Sequence, residues 1–336
     1  MLVDAERLTA YVAGALPGDG PVEVERLAAG HSNLTFVVRR DGAEWILRRP
    51  PLGNLLPTAH DVIREYRVLD LLARSGCGVR VPRVTLACED PEVIGAPFYL
   101  MERVGGSVIR DSLPEWATED VRRTIGYELV DALAELHAAP VEPFVAAGIG
   151  KPTGYLERQL RRWRGQRDGA NTRPLPDYDV LSAWLEENLP AQSATSLVHG
   201  DYKLDNVAMS ADGPRLTAIL DWEMATVGDP LADLGYLMSF WTEPGERNEL
   251  TDVGGSVTTE PGFPTRGELV ARYAERSGRD VSDLTPYVVL AIWKLAILLE
   301  ASYSRHLAGT TDDPFFASLD RGVPALLARA RRIADV

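Results

Sequence analysis

The chain has 336 residues, 45% of them hydrophobic and 25% charged, with a net charge of −14 from 35 basic and 49 acidic side chains. That length buries a sizeable core and exceeds one small domain, so two lobes are expected; the acidic balance argues against nucleic acid or an anionic membrane surface as a partner. Cys77 and Cys88 have no metal-site spacing, and Met1 to Glu6 lacks the basic start and apolar core of a signal peptide, so a reducing, cytoplasmic setting is expected.

Residues 4 to 15 read as a short amphipathic helix stopped by Pro17-Gly18-Asp19-Gly20. Val22 to Leu27, Leu34 to Arg39 and Glu44 to Arg48 read as strands, the last two joined by an Asp41-Gly42 hairpin turn. Thr58-Ala59-His60-Asp61 has capping-box spacing and predicts a helix running to about Arg74, with Val62, Tyr66 and Leu69 as its buried stripe. Val81 to Cys88 and Ala96 to Met101 return to strand character. Thr118 to His137 predicts a long amphipathic helix with Val121, Ile125, Leu129, Leu133 and Leu136 on one face. Residues 151 to 195 add further helices. Val207 to Met209 and Arg215 to Leu220 form a hairpin across Ser210-Ala211-Asp212-Gly213. Beyond Asp229-Pro230 the pattern is mostly helical, apart from the Gly/Thr/Pro-rich piece Glu243 to Pro264, which reads as a flexible loop. The most apolar stretch, Val288 to Leu299, is interrupted by Lys294 and too short to span a bilayer, so no membrane partner is expected.

The chemistry concentrates in Leu197-Val198-His199-Gly200-Asp201-Tyr202-Lys203-Leu204-Asp205-Asn206 and, beyond the hairpin, Asp221-Trp222-Glu223. An Asp, an Asn five residues on and a second Asp past a hairpin is the spacing that phosphoryl transfer from a magnesium nucleotide needs. Asp201 would orient the attacking hydroxyl or act as its base. The Asn206 amide oxygen and the Asp221 carboxylate are the hard oxygen donors that Mg2+ prefers. The protein kinase signature H-R-D-x-x-x-x-N with its downstream metal-binding Asp has the same pattern. Here Gly200 replaces the Arg, and Asp-Trp-Glu replaces Asp-Phe-Gly.

On these residues the chain resembles the aminoglycoside phosphotransferase and choline kinase family, small-molecule kinases with a protein-kinase-like fold. Gly30-His31-Ser32-Asn33-Leu34-Thr35 and Leu47-Arg48-Arg49-Pro50-Pro51 extend the likeness, which runs from about Glu25 to beyond Phe240. They point to the branch that includes kinase-like domains fused to some acyl-CoA dehydrogenases. The resemblance implies an α+β, two-lobed fold: a small antiparallel-sheet lobe over residues 1–101, a hinge at 102–106 and a larger, mainly helical lobe over 107–336, with an insert at about 151–195 building the acceptor pocket. It implies ATP and Mg2+ as cofactors and a hydroxyl of a small molecule as acceptor.

Residue by residue, the resemblance makes Asn206 and Asp221 metal ligands. Lys203 either meets the transferred phosphate or is a solvated surface lysine. Arg48 stands where kinases place a Lys that grips phosphate, with Glu65 as its ion-pair partner and Arg49 as a rival. Ser32 and Asn33 fall in the phosphate-covering loop, which carries one glycine here instead of three. Glu102 and Val104 would offer backbone groups to adenine. His199 is expected to anchor the loop, and Asp233 to hold it by accepting backbone amides. Arg158, Arg161, Arg162, Arg164 and Arg167 either are solvated or paired with Glu157, Glu186 and Glu187, or converge on an anionic acceptor such as a coenzyme A group. The acceptor therefore stays open between an amino sugar and a hydroxyacyl or coenzyme A-linked compound. The alternative is a nucleotide-binding pseudokinase with a regulatory role, favoured by the sparse glycine loop and Arg48 but opposed by the intact Asp201, Asn206 and Asp221. A missing Ala-Pro-Glu element argues against a protein kinase.

Overall fold

The computed structural model describes residues 2–27, 33–51, 61–169, 173–246, 256–309 and 314–336. Helix α1 (Ala5–Val12) is capped by Asp4, whose carboxylate accepts the Glu6 and Arg7 amides at 3.1 Å. Strands β1 (Glu23–Leu27), β2 (Leu34–Arg40) and β3 (Ala43–Arg49) follow. Arg40 pairs with Ala43, leaving Asp41 and Gly42 to turn the chain with φ of 47° and 83°, the two positive values a type I′ hairpin requires. Helix α2 (Val62–Ser75), β4 (Val84–Cys88), α3 (Pro91–Ile94) and β5 (Phe98–Glu102) complete an antiparallel sheet of order β1-β2-β3-β5-β4.

Two boundaries differ from expectation. Helix α2 begins at Val62, capped by Asp61 Oδ1, which accepts the Arg64 amide at 2.9 Å; Thr58 to His60 lie outside the described residues. Strand β4 begins at Val84, not Val81. Pro82 has no N–H for a ladder, and the Arg80 carbonyl is drawn off to accept the Ile219 amide at 2.8 Å.

Side chains alternate across the sheet and so feed two cores. Phe36, Val38, Trp45, Leu47, Phe98 and Leu100 pack with Leu8 and Val12 of α1 and Ile94 of α3. Val37, Ile46, Tyr99 and Met101 face the other way, onto Val62, Leu69 and Leu72 of α2, in a core continuous with the helical part of the molecule.

That part comprises α4 (Glu119–His137), α5 (Glu142–Ala146), α6 (Tyr155–Gly169), α7 (Pro176–Asn188), the short strands β6 (Ser196–Val198), β7 (Val207–Met209), β8 (Leu216–Ile219) and β9 (Thr226–Gly228), then α8 (Pro230–Phe240), α9 (Arg266–Ser277), α10 (Thr285–Leu307) and α11 (Pro314–Ala334). On α4 the expected stripe is buried from Ile125 to Leu136, with Val121 half-buried. The described part of Glu243 to Pro264 is not a loose loop. Val257–Thr259 forms a 3-10 turn, and the buried Thr258 hydroxyl donates to the Thr242 carbonyl at 2.8 Å. Helix α10 contains the apolar run Val288 to Leu299 and continues to Leu307, as the helical pattern from Pro286 to about Leu307 predicts. Its 23 residues are long and apolar enough to cross a membrane by length and composition, but in this fold it packs against α6, α7, α8 and α11. Gly106 joins sheet to helices at a close approach: the Ser107 amide donates to the Met209 carbonyl at 2.9 Å, and a Cβ on Gly106 would sit 2.0 Å from that oxygen.

Candidate active site

Two nested ribbons bring the motif residues together. The outer one pairs Val198 of β6 with Thr226 of β9; the inner one pairs Val207 of β7 with Ile219 of β8. Between their ends lie two connections, residues 199–206 and 220–225. The Leu220 amide donates to the Asn206 carbonyl at 2.8 Å, so Asn206 and Asp221 leave the inner ribbon side by side. Asn206 also turns back on Asp201: its Nδ2 donates to the Asp201 carbonyl at 2.9 Å and to Oδ2 at 2.7 Å. With its NH2 spent there, the Asn206 amide oxygen is the atom left for a cation. Asp221 adopts left-handed backbone angles, φ 63° and ψ 67°, a conformation that costs a non-glycine residue about 1–3 kcal/mol and persists only where neighbours enforce it. One amide oxygen and one half-exposed carboxylate fit Mg2+, which takes one or two protein oxygens beside water and phosphate.

The loop carrying Asp201 is held from behind. Asp233, buried on α8, accepts the His199 amide at 2.6 Å and the Gly200 amide at 2.8 Å. Burial by itself would raise the Asp233 carboxyl, but His137, His199 and the Gly200 amide hold it below the ordinary carboxylate value. Gly200 has φ 83°, and a Cβ there would lie 2.8 Å from the Met224 carbonyl, so the position requires glycine. His199 Nε2 lies 2.8 Å from the Leu220 carbonyl and must be the protonated nitrogen. Its Nδ1 is then bare and accepts the Asp201 amide at 3.3 Å. Both nitrogens are spent on backbone, which makes His199 an anchor.

Asp201 itself is half-buried. Burial raises its carboxyl, but Lys203, the Tyr236 hydroxyl, His199 and Lys294 outweigh that and keep it below the usual value. Lys203 is no solvated surface lysine. Its Nζ lies 3.3 and 3.4 Å from the two Asp201 oxygens, 3.8 Å from Asp205 and 5.0 Å from the centre of the Phe240 ring.

Arg48 and Arg49 part company because consecutive strand residues face opposite ways. Arg48, on the face of Ile46, donates to Glu65 at 2.8 Å and to Asp221 Oδ1 at 2.9 Å. Arg49 points to the α1 side, donating to the Ile94 carbonyl at 3.0 Å and to the Leu2 carbonyl; it is no rival for the cleft. Glu65 is fully buried, and burial pushes its carboxyl up to about 7 against the pull of Arg48. Its Oε1 also accepts the Trp222 amide at 3.2 Å. Arg64, one residue earlier on α2, donates to the carbonyls of Glu223 and Ala225, so two consecutive residues of α2 grip the turn after Asp221. Asn33 reaches the same turn, its Nδ2 donating to Glu223 Oε2 at 3.2 Å. Ser32 lies outside the described residues. The Glu102 amide already donates to the Arg83 carbonyl at 2.8 Å. Val104 is half-buried, and its backbone has no partner among the described residues.

Of the arginines of α6, Arg158, Arg164 and Arg167 are held by partners of their own. Arg158 bonds the carbonyls of Thr153 and Lys151, Arg164 pairs with Glu186, and Arg162 lies 5.3 Å from the Trp163 ring. Arg167 is buried against Tyr178, donating to the Arg173 carbonyl at 2.7 Å. Conversely, sequence reasoning missed Arg64, Tyr236, Glu223 and Lys294. For Lys294 the sequence does carry a signal, a lone cation inside an apolar run.

Residues 23–269 match the model of the phosphotransferase enzyme family. The chain is 36% identical over 318 residues to acyl-CoA dehydrogenase family member 11 of Gallus gallus, a match covering 91% of this chain and 40% of that protein. It thus spans about two fifths of such a relative's length. A Ralstonia eutropha protein provisionally assigned as an aminoglycoside phosphotransferase superposes with a TM-score of 0.82 at 32% identity, covering 99% of this chain and 98% of that one. The GDP complex of aminoglycoside 2′-phosphotransferase-IIIa, 19% identical, shares the fold with a TM-score of 0.62, covering 97% of this chain and 99% of that one. The chain belongs to the phosphotransferase enzyme family, is similar over nine tenths of its length to acyl-CoA dehydrogenase family members, and has the family's α+β, protein-kinase-like fold.

Proposed function

We infer that this chain transfers the γ-phosphate of ATP, with Mg2+, to a hydroxyl of a small molecule, and that a hydroxyacyl or coenzyme A-linked acceptor is favoured over an amino sugar. The convergence of Asp201, Asn206 and Asp221 at the ends of two nested ribbons carries the first part. The depressed Asp201 carboxyl is ionised at neutral pH and ready to accept a hydrogen bond from the acceptor hydroxyl. Because the transition state is loose, orienting that hydroxyl counts for more than basicity. The Asn206 NH2 sets the Asp201 rotamer, and Lys203 places positive charge beside it. Bound Mg2+ would neutralise the phosphates. Arg48, already in contact with Asp221, is the cation at hand for the phosphate chain.

Support for the acceptor comes from the relatives. Proteins named as acyl-CoA dehydrogenase family members match over more than nine tenths of this chain, and a kinase unit joined to such an enzyme is suited to the same acyl thioesters. The dispersed arginines of α6 add nothing to that argument. The pseudokinase reading draws on one observation, that Asp221 is already neutralised by Arg48.

A nucleotide-consumption screen over aminoglycosides, amino alcohols, sugars and hydroxyacyl thioesters tests both parts. Mg2+-dependent ATP turnover stimulated by hydroxyacyl thioesters is expected. Stimulation by aminoglycosides alone would overturn the acceptor assignment, and no Mg2+-dependent turnover with any acceptor would leave the pseudokinase.

A further inference from the structure

We propose that Lys294 of α10 is a positioning residue for phosphoryl transfer, clamping from the helical side the peptide unit that carries Asp201. The proposal rests on Asp201 being the residue that orients the acceptor, and it adds a residue that neither the motif nor the family match assigns.

Lys294 lies between Trp293 and Leu295 on α10, a long apolar helix, and is 9% exposed. Its Nζ donates to the Gly200 carbonyl at 2.7 Å and lies 5.5 Å from the Trp163 ring centre and 5.1 Å from that of Tyr236. The Gly200 carbonyl and the Asp201 amide belong to one planar peptide unit. Lys294 holds the oxygen end of that unit, and His199 Nδ1 holds the nitrogen end. Asp233 fixes the preceding unit through the Gly200 amide. A glycine at φ 83° is free to swing between wells. Three bonds on the two peptides around it remove that freedom and so place the Asp201 Cα.

A buried ammonium is an expensive way to satisfy one carbonyl, since an apolar residue of similar volume is often neutral or stabilising at such a site. The groups facing Lys294 are of both signs: Asp201 on the loop and Asp233 on α8 favour its charge, while Arg162 on α6 and Lys203 on the loop oppose it. Burial outweighs these and pulls the amine down to about 8. Such a cost at a position that touches the catalytic loop marks a group kept for geometry.

The test uses Lys294→Met and Lys294→Arg in the full chain, with two readouts. The first is peptide-resolved hydrogen exchange across residues 197–206. Lys294→Met is expected to exchange about tenfold faster there, equivalent to about 1.4 kcal/mol of local protection, with thermal stability at pH 7 unchanged or raised. Wild-type exchange in Lys294→Met would overturn the clamp. The second is turnover: kcat of Lys294→Met is expected to fall roughly 10- to 100-fold with KM for ATP unchanged. Lys294→Arg, which keeps the donor but does not titrate near pH 8, is expected to recover most of the rate and to lack any fall in kcat that deprotonation of Lys294 would give wild type as pH rises through about 8. Wild-type kcat and pH profile in Lys294→Met would overturn the role in transfer. Should wild type itself consume no ATP, the phosphotransfer assignment fails separately, and the exchange experiment still decides the clamp. If Lys294→Met does not fold, Lys294→Gln carries both readouts: faster exchange across residues 197–206 with a lowered kcat supports the proposal, and wild-type values of both overturn it.

Discussion

Asp201→Asn is expected to lower phosphate transfer by about 10²- to 10⁴-fold, the usual worth of a positioned acid or base, while ATP binding persists. The substitution is isosteric, so the consequence can be traced to one lost charge. Asn206 still has the residue 201 carbonyl to bond, at 2.9 Å, and the His199, Asp233 and Lys294 contacts that shape the loop are to backbone atoms. What disappears is the anionic acceptor for the substrate hydroxyl and the counter-charge to Lys203. The kinetic signature is therefore a fall in kcat with KM for ATP unchanged. Full activity in this variant would remove Asp201 from the mechanism.

The second large effect is on stability. Asp233→Ala is expected to destabilise the protein by about 3–5 kcal/mol, the cost of breaking a buried charged network by deleting one partner. The substitution strips hydrogen-bond partners from the buried amides of His199 and Gly200 and from His137 Nε2, 3.3 Å away. The sign of the pH dependence follows from the depressed Asp233 carboxyl. Its contribution is present above the unfolded-state carboxylate pKa and is lost as pH falls through the lower native value. Urea titrations of wild type and variant should thus differ most near neutrality and converge in acid. A difference below about 0.5 kcal/mol at pH 7, the range of a neutral surface change, would show that the loop is held by other means.

Much of this site was legible from spacing. Asp201, Asn206 and Asp221 are close in sequence, and the strand pattern of Arg215 to Leu220, with Val207 to Met209 as its partner across a Gly-containing turn, already implies a ribbon that returns Asp221 to Asn206. The Arg48–Glu65 pair followed from a strand end and an inward-facing helix position. The choice between Arg48 and Arg49 was not legible. In Trp45-Ile46-Leu47-Arg48-Arg49 both faces are apolar, so period-2 alternation separates the two arginines without saying which side holds the cleft. The outer ribbon is three residues a side and leaves no periodic trace. Lys294 and Tyr236 reach the site from helices distant in sequence, and only packing of α10 and α8 against the loop brings them there. For the arginines of α6, helical spacing already separates them around the axis, and the paired alternative holds for Arg164 with Glu186, while Arg158 bonds local carbonyls.

Calorimetric titration of the full chain with ATP, in the presence and absence of Mg2+, tests the central claim most directly: that the Asn206 amide oxygen and the Asp221 carboxylate share one cation with the nucleotide. In wild type, Mg2+ is expected to tighten ATP binding by at least about tenfold, or about 1.4 kcal/mol, and Asp221→Asn is expected to erase that gain while leaving metal-free binding in place. An ATP affinity in wild type that is the same with and without Mg2+ would contradict the account.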